Sequence, residues 1–219
     1  FIHMGTRNLT MVISNEKPII AQYGQWDGYP SGQGATALSF LLQCDLKKFK
    51  ETVNRCRFIE SSKRKQNELK KFMEKIGSKD GWMNMEQAAK YHEKYPFLTR
   101  DNGAQILELL YNDETDNLLW IHDSSEFAAD SLFCEWAYVI DLDKETFEVY
   151  EGFNKSPLLS DERFYPLQEK NAHYEERRGE RQYYPVKHVK TYKLSELPTD
   201  VEAFVNEIEE LTKEEEEVE

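Results

Sequence analysis

The sequence predicts an α+β fold: a mainly antiparallel sheet built from hairpins, a helical lobe in the middle of the chain and a C-terminal helix. Two observations predict it. Segments that alternate polar and apolar residues, rich in β-branched types, stand near the start and again after Asn117, with short polar turns joining neighbours. The intervening and final segments place apolar residues three and four positions apart, the stripe of an amphipathic helix. Helices that follow runs of strands, instead of alternating with them, exclude a doubly wound parallel sheet.

Thr6 to Ile13 reads as the first strand, Ser14 to Lys17 as a turn and Pro18 to Tyr23 as the second strand. Pro18 stands first in its strand, where its missing N–H costs no ladder bond. The Asn8-Leu9-Thr10 sequon is read as chance. Gly34 to Gln43 is a helix apolar nearly all round and expected to be buried. Leu46 to Cys56 carries Leu46, Phe49 and Val53 on one stripe. Ser62 to Ile76 is capped by Ser62 and stopped by Gly77. Its basic group Lys63, Arg64 and Lys65 reads as a solvated face. Met85 to Lys94 ends before Pro96. Ala104 to Tyr111 is capped by Asp101 or Thr99. Leu118 to His122, Phe133 to Asp141 and Thr146 to Tyr150 are strands, the last two forming the strongest hairpin. Ser156 to Arg181 reads as an irregular loop and Tyr184 to Tyr192 as the last strand. Thr199 to Glu202 is a capping box opening a helix with Val201, Phe204, Val205, Ile208 and Leu211 on its stripe. The organisation is one α+β domain over 4–213, with a helical insertion at about 45–112 and an acidic tail at 214–219. Phe1, Ile2 and His3, before Met4, read as a cloning remnant.

The stretch from Gln22 to Gly34 fits neither a strand nor a helix. It holds Gly24, Gly28, Gly32 and Gly34, the rings of Tyr23, Trp26 and Tyr29, the carboxylate of Asp27, and the polar groups of Gln25, Ser31 and Gln33. It is a strand-to-helix loop. Glycines let a backbone approach a partner closely, and a helix start offers amides and a partial positive charge to an anion. The expected site therefore comprises Arg7, Asn8, Tyr23, Gln25, Trp26, Asp27, Tyr29, Ser31, Gly32, Gln33 and Gly34, with Glu135 added as a carboxylate at the head of an apolar strand. The amides of Gly32 to Gly34 and Arg7 would hold the anion. Arg7 pairing with Asp27, and Asp27 bonding nearby amides to hold the turn, are the structural alternatives.

The chain of 219 residues carries a formal net charge of −13, which argues against a duplex-DNA surface. No apolar run approaches the roughly 20 residues of a membrane helix. Three cysteines without a CxxC speak against disulfides and structural zinc and fit a reducing cytoplasm. No Walker loop, GxGxxG within a βαβ unit, GxSxG or HExxH is present. His92, His122, His173 and His188 show no ligand spacing, and His122-Asp123 is weighed as an acid-base pair against a surface turn. No metal and no cofactor are expected.

The opening from Met4 to Thr10 with the Gln22 to Gly34 stretch resembles a family of mostly uncharacterised proteins of bacteria, their phages and fungi. Pro96 to Gly103 and Glu135 to Asp143 look like its later landmarks, so the resemblance runs to about Phe153. It implies a grouping without a mechanism, and raises a phage source in a host cytoplasm. A second likeness is to N-terminal-nucleophile hydrolases, which also open with a strand and build layered α+β folds. Their nucleophile would fall on Gly5, which has no side chain, with Thr6 one place too late. The function expected is a binding protein for a small polar or anionic molecule, a nucleotide signal sequestered by a phage protein being one form. The alternatives are an amide or nucleotide hydrolase, with Asp27, Glu135, Tyr23 and Arg7 as candidates, and an interaction module docking a protein partner or a second copy.

Overall fold

The computed structural model describes residues 5–170 and 183–216, and the side chains of 170 and 214–216 are left aside. Phe1 to Met4, His173, most of the second half of the expected 156–181 loop and the end of the acidic tail lie outside the described residues.

Among the described residues the fold is α+β. Strands β1 (Asn8–Ser14), β2 (Lys17–Gly24), β5 (Trp136–Asp141), β6 (Thr146–Glu151) and β7 (Lys187–Lys193) form one sheet in the order β2-β1-β5-β6-β7. Three of its pairings are antiparallel, but β1 and β5 run parallel, Asn8 beside Trp136 through Ile13 beside Asp141. A small second sheet pairs β3 (Cys56–Phe58) with β4 (Leu119–Ile121), also in parallel. The mainly antiparallel sheet agrees with the sequence reading, whose hairpins do not include the two parallel pairings. Parallel partners are distant along the chain and leave no turn signature between them. For the same reason Cys56, taken as the end of a helix, belongs instead to β3. Phe133, Cys134 and Glu135 precede β5; Phe133 and Cys134 donate their amides to the carbonyl of Asp130, which makes a turn.

Seven α-helices complete the described chain: α1 (Ala35–Gln43), α2 (Leu46–Arg55), α3 (Lys63–Lys75), α4 (Met85–Lys94), α5 (Gln105–Tyr111), α6 (Tyr165–Lys170) and α7 (Val201–Glu216). Ser62 caps α3 through its hydroxyl, as its sequence predicts, and Asn84 opens α4 with a full capping box. In place of the box expected at Thr199, the Asp200 carboxylate accepts from the amide of Glu202. Neither Thr99 nor Asp101 caps α5; Gln33, from 71 positions earlier, accepts the Ala104 amide at 2.7 Å. A cap supplied across the fold has no local signature.

One sheet face packs against α1, α2, α5 and α7 around Tyr138, Phe147, Tyr192, Phe204, Phe49, Leu38 and Leu107. The opposite face, with Leu9, Met11, Ala137, Val139 and Tyr150, is covered by Ala128, Leu158 and Phe164. α3 and α4 close a smaller third core on Ile59, Tyr91 and Leu98. Helix α1 is less enclosed than its composition suggests: Ala37, Leu38 and Leu41 are buried, but Leu42 is exposed.

Candidate functional site

The glycine loop leaves β2 at Gly24 and enters α1 through a π-helical turn, Pro30–Gly34. Its interior is held by neutral hydrogen bonds. Asn8 is fully buried, and its side-chain amide donates to the carbonyls of Thr6 at 3.3 Å and of Gly24 and Trp26 at 3.2 Å each. Gly28 donates its amide to Thr6, and the Tyr138 hydroxyl donates to the Gly28 carbonyl at 2.7 Å. A side chain on Gly34 would meet the Tyr138 ring at 2.8 Å, and one on Gly24 would meet Asn8 at 2.5 Å. These glycines are needed for close approach. Gly34 has an ordinary helical φ of −60°, so backbone strain is not its constraint.

This packing revises the anion site expected at the helix start. The amide of Gly32 donates to Tyr29 at 2.9 Å, that of Gln33 to Asp27 at 2.8 Å and that of Gly34 to Tyr29 at 3.3 Å. All three are engaged within the loop, so none is available to a phosphate. It is the backbone carbonyl of Asp27, not its carboxylate, that closes the turn. The carboxylate has no partner among the described residues. Arg7 stands away from Asp27. Its guanidinium lies 3.5 Å from Glu135 and 4.8 Å above the Phe133 ring, while its backbone exchanges bonds with Glu135. Arg7 and Glu135 thus pair at the start of β5, while the buried Nε of Arg7 keeps no hydrogen-bond partner among the described residues.

The remaining candidates divide between two grooves and the surface. Asp27, Ser31, Gly32 and Gln33 line a groove of about 650 Å³ between the loop, α1 and α5. Its other walls are Thr36, Ser39, Phe40, Gln43 and Cys44 from the α1 segment, and Ala104, Gln105, Glu108, Tyr111 and Asn112 from the α5 segment. Gln33 ties the walls together, donating to the Trp26 carbonyl at 3.2 Å while accepting from Ala104. The side chains of Ser39, Gln43, Gln105, Glu108 and Asn112 have no hydrogen-bond partner among the described residues. Burial raises the pKa of the Cys44 thiol in this groove, which keeps it a poor nucleophile at neutral pH. Tyr23 instead lines a second groove, of about 490 Å³, on the far side of β2. Its hydroxyl donates to Gln25 at 2.5 Å and its ring lies under Arg100, 4.5 Å from the guanidinium carbon. Trp26 and Tyr29 are 53% and 55% exposed at the loop tip, and Trp26 also lies on Gly5, leaving no room there for a side chain.

Sequence reasoning missed the α5 wall of the first groove, which a helical stripe presents as mere surface. It also passed over Glu60, whose link to His122 joins residues 62 positions apart. No group of three or more His, Cys, Asp or Glu side chains among the described residues could hold a metal ion. No helix among them is long and apolar enough to cross a membrane. No family model, curated protein or solved structure matches the chain.

Proposed function

We propose that the protein binds a small polar molecule in the groove between the glycine loop and α5. One observation carries this reading: polar side chains on both walls stand without internal partners. Such groups gain hydrogen bonds from a ligand without surrendering any to the protein. The loop and its neighbours supply rigidity, since Asn8, Tyr138 and the glycines fix the backbone that carries Asp27 and Ser31. The lining contains no Lys, Arg or His. A neutral or amine-bearing ligand therefore suits it better than a nucleotide, whose phosphates would face Asp27 and Glu108.

A thermal-shift panel of polyols, carboxamides, amines and nucleotides tests this. A ligand at about a hundredfold over its Kd stabilises the native state by about 2.7 kcal/mol. The expected hit is a neutral or amine-bearing compound whose effect falls on Gln105→Ala or Asn112→Ala. A panel that gives no shift, with the side-chain amide signals of Gln105 and Asn112 unmoved in NMR, refutes the reading. A nucleotide hit insensitive to both variants refutes the location.

A further inference from the structure

The second groove carries a different chemistry. It lies just past the ends of β3 and β4, beside β2. β3 and β4 run parallel, and Asp123, just after β4, forms a parallel bridge with Ala21 of β2. Tyr23 follows Ala21, His122 follows β4, and Glu60 sits in the 3₁₀ turn Ile59–Ser61 directly after β3. The carboxyl ends of parallel strands are where chains leave a sheet and side chains converge on a crevice.

The convergence is ordered. Nδ1 of His122 lies 2.8 Å from Oε1 of Glu60, and Oε2 of Glu60 accepts from the Asp123 amide at 3.1 Å. A carboxylate is an acceptor only, so Nδ1 carries a proton, and in the neutral imidazole the lone pair is then on Nε2. Nε2 has no partner among the described residues. His122 and Glu60 also line an adjoining groove of about 780 Å³ along α3, so the imidazole is reached from two sides. Arg100 lines the same groove, its guanidinium 3.6 Å from the Asp101 carboxylate. The Gln22 side chain donates to the carbonyls of Thr99 at 3.3 Å and Arg100 at 2.9 Å, and the guanidinium rests on the Tyr23 ring.

We propose that this cleft is a hydrolytic site, with His122 as general base, Glu60 as the residue that positions it and Arg100 as the binding group for a carboxylate on the substrate. The substrate class is an acyl ester with one carboxylate. Glu60, Asp123 and Glu126 share the lining, so a polyanion such as a nucleoside triphosphate is disfavoured. In the reaction Nε2 takes a proton from water as the water oxygen bonds to the acyl carbon. The resulting imidazolium is stabilised by Glu60. The tetrahedral adduct then collapses, the C–O bond to the alcohol breaks, and the departing oxygen receives the proton from Nε2. One ester and one water give one acid and one alcohol.

The probes are p-nitrophenyl acetate and the mono-p-nitrophenyl ester of succinate, assayed against free imidazole as background. The succinate ester should turn over faster, and His122→Gln should lower its kcat/KM about a hundredfold or more, the usual share of a positioned base. Glu60→Gln should reduce the rate less and displace the pH-rate profile, a change that a merely structural role would leave alone. Arg100→Gln should raise KM for the succinate ester about tenfold at unchanged kcat, leaving acetate alone. Melting temperatures equal to that of the unaltered protein confirm that each variant is folded. Hydrolysis at the imidazole background, or unaffected by His122→Gln in a folded protein, overturns the proposal. Equal KM for the succinate ester with and without Arg100 overturns the substrate class.

Discussion

The two ends of the main sheet are both polar, yet they are built from opposite materials. At the glycine end, where β1 begins and β2 finishes, Asn8, Tyr138 and glycine backbone exchange neutral hydrogen bonds. At the far end carboxylates do the work. Asp143 accepts the amides of Asn15 at 3.0 Å and Glu16 at 2.8 Å, holding a turn in which both residues have positive φ. Asp141 accepts the amides of Asp143 at 3.1 Å and Lys144 at 2.9 Å. Arg163 then reaches Asp141 at 2.6 Å and Glu148 at 2.7 and 2.8 Å, and the Tyr150 hydroxyl donates to Glu148 at 2.6 Å. The charged end is a lock whose groups are satisfied by one another. The neutral end fixes a backbone and leaves the side chains of Ser39, Gln43, Gln105, Glu108 and Asn112 unpartnered beside it, in the first groove. A polar cluster marks a candidate site where the pairing leaves some group free, as it does Nε2 of His122.

The sharpest way to break the comparison is Arg163→Met. Removing one partner of a buried ionic group leaves charges uncompensated, at a cost of about 4 kcal/mol near neutral pH. Chemical denaturation measures it. The loss should shrink in acid. Burial raises the pKa of Asp141, but the Lys144 amide and Arg163 more than offset this and leave it lowered. Glu148 is likewise pushed up by burial and brought below its ordinary value by Arg163 and Tyr150. A lowered carboxylate stabilises the fold above its unfolded pKa and loses that contribution as pH falls through the folded one. The unaltered protein should thus lose stability progressively below about pH 5, and the Arg163→Met variant should lose less over the same span. Parallel pH curves for the two proteins would show that the lock does not govern acid stability.

At the neutral end the expected effects are smaller and insensitive to pH. Asn8→Leu removes the donor shared by three carbonyls and should cost about 3 kcal/mol. Gly34→Ala should cost about 2 kcal/mol, because its methyl must displace the Tyr138 ring. Thermal melts of both at pH 7 and pH 4.5 check the contrast. A pH-dependent loss in either would mean that the corner is coupled to the ionic lock.

The α+β class, the hairpins and most helix stripes were legible because each rests on residues close in sequence. Ser62 above α3 and the β5–β6 hairpin are examples. The glycine loop was legible as a special place, since no regular element accepts that composition. Its chemistry was not legible. Whether the amides of Gly32 to Gly34 are open or engaged depends on the carbonyls of Asp27 and Tyr29 folding back over them, a property of the π-turn. Arg7 found Glu135 through the parallel β1–β5 pairing, and His122 found Glu60 through β3–β4. Parallel pairing moves partners far apart along the chain, so neither contact left a local trace.

The smallest predicted effect on stability bears most directly on function. Gln33 is half-buried and joins the two walls of the first groove, donating to Trp26 and capping α5 at Ala104. Gln33→Ala should cost only about 1 kcal/mol, the scale of a lost helix cap. Gly103 lies against Gln33 with a φ of +54°, so the turn before α5 keeps its own preference when the side chain is shortened. The fold should persist while the α5 wall loses its tie to the loop. Ligands of the first groove should then stabilise the variant less than the unaltered protein, whereas ester hydrolysis in the second cleft should be unchanged, because Glu60, His122 and Arg100 are not bonded to Gln33. Thermal shift and the ester assay on this one variant separate the two grooves. Loss of both activities together would mean that they form a single functional unit, and an unchanged thermal shift would show that Gln33 does not organise the first groove.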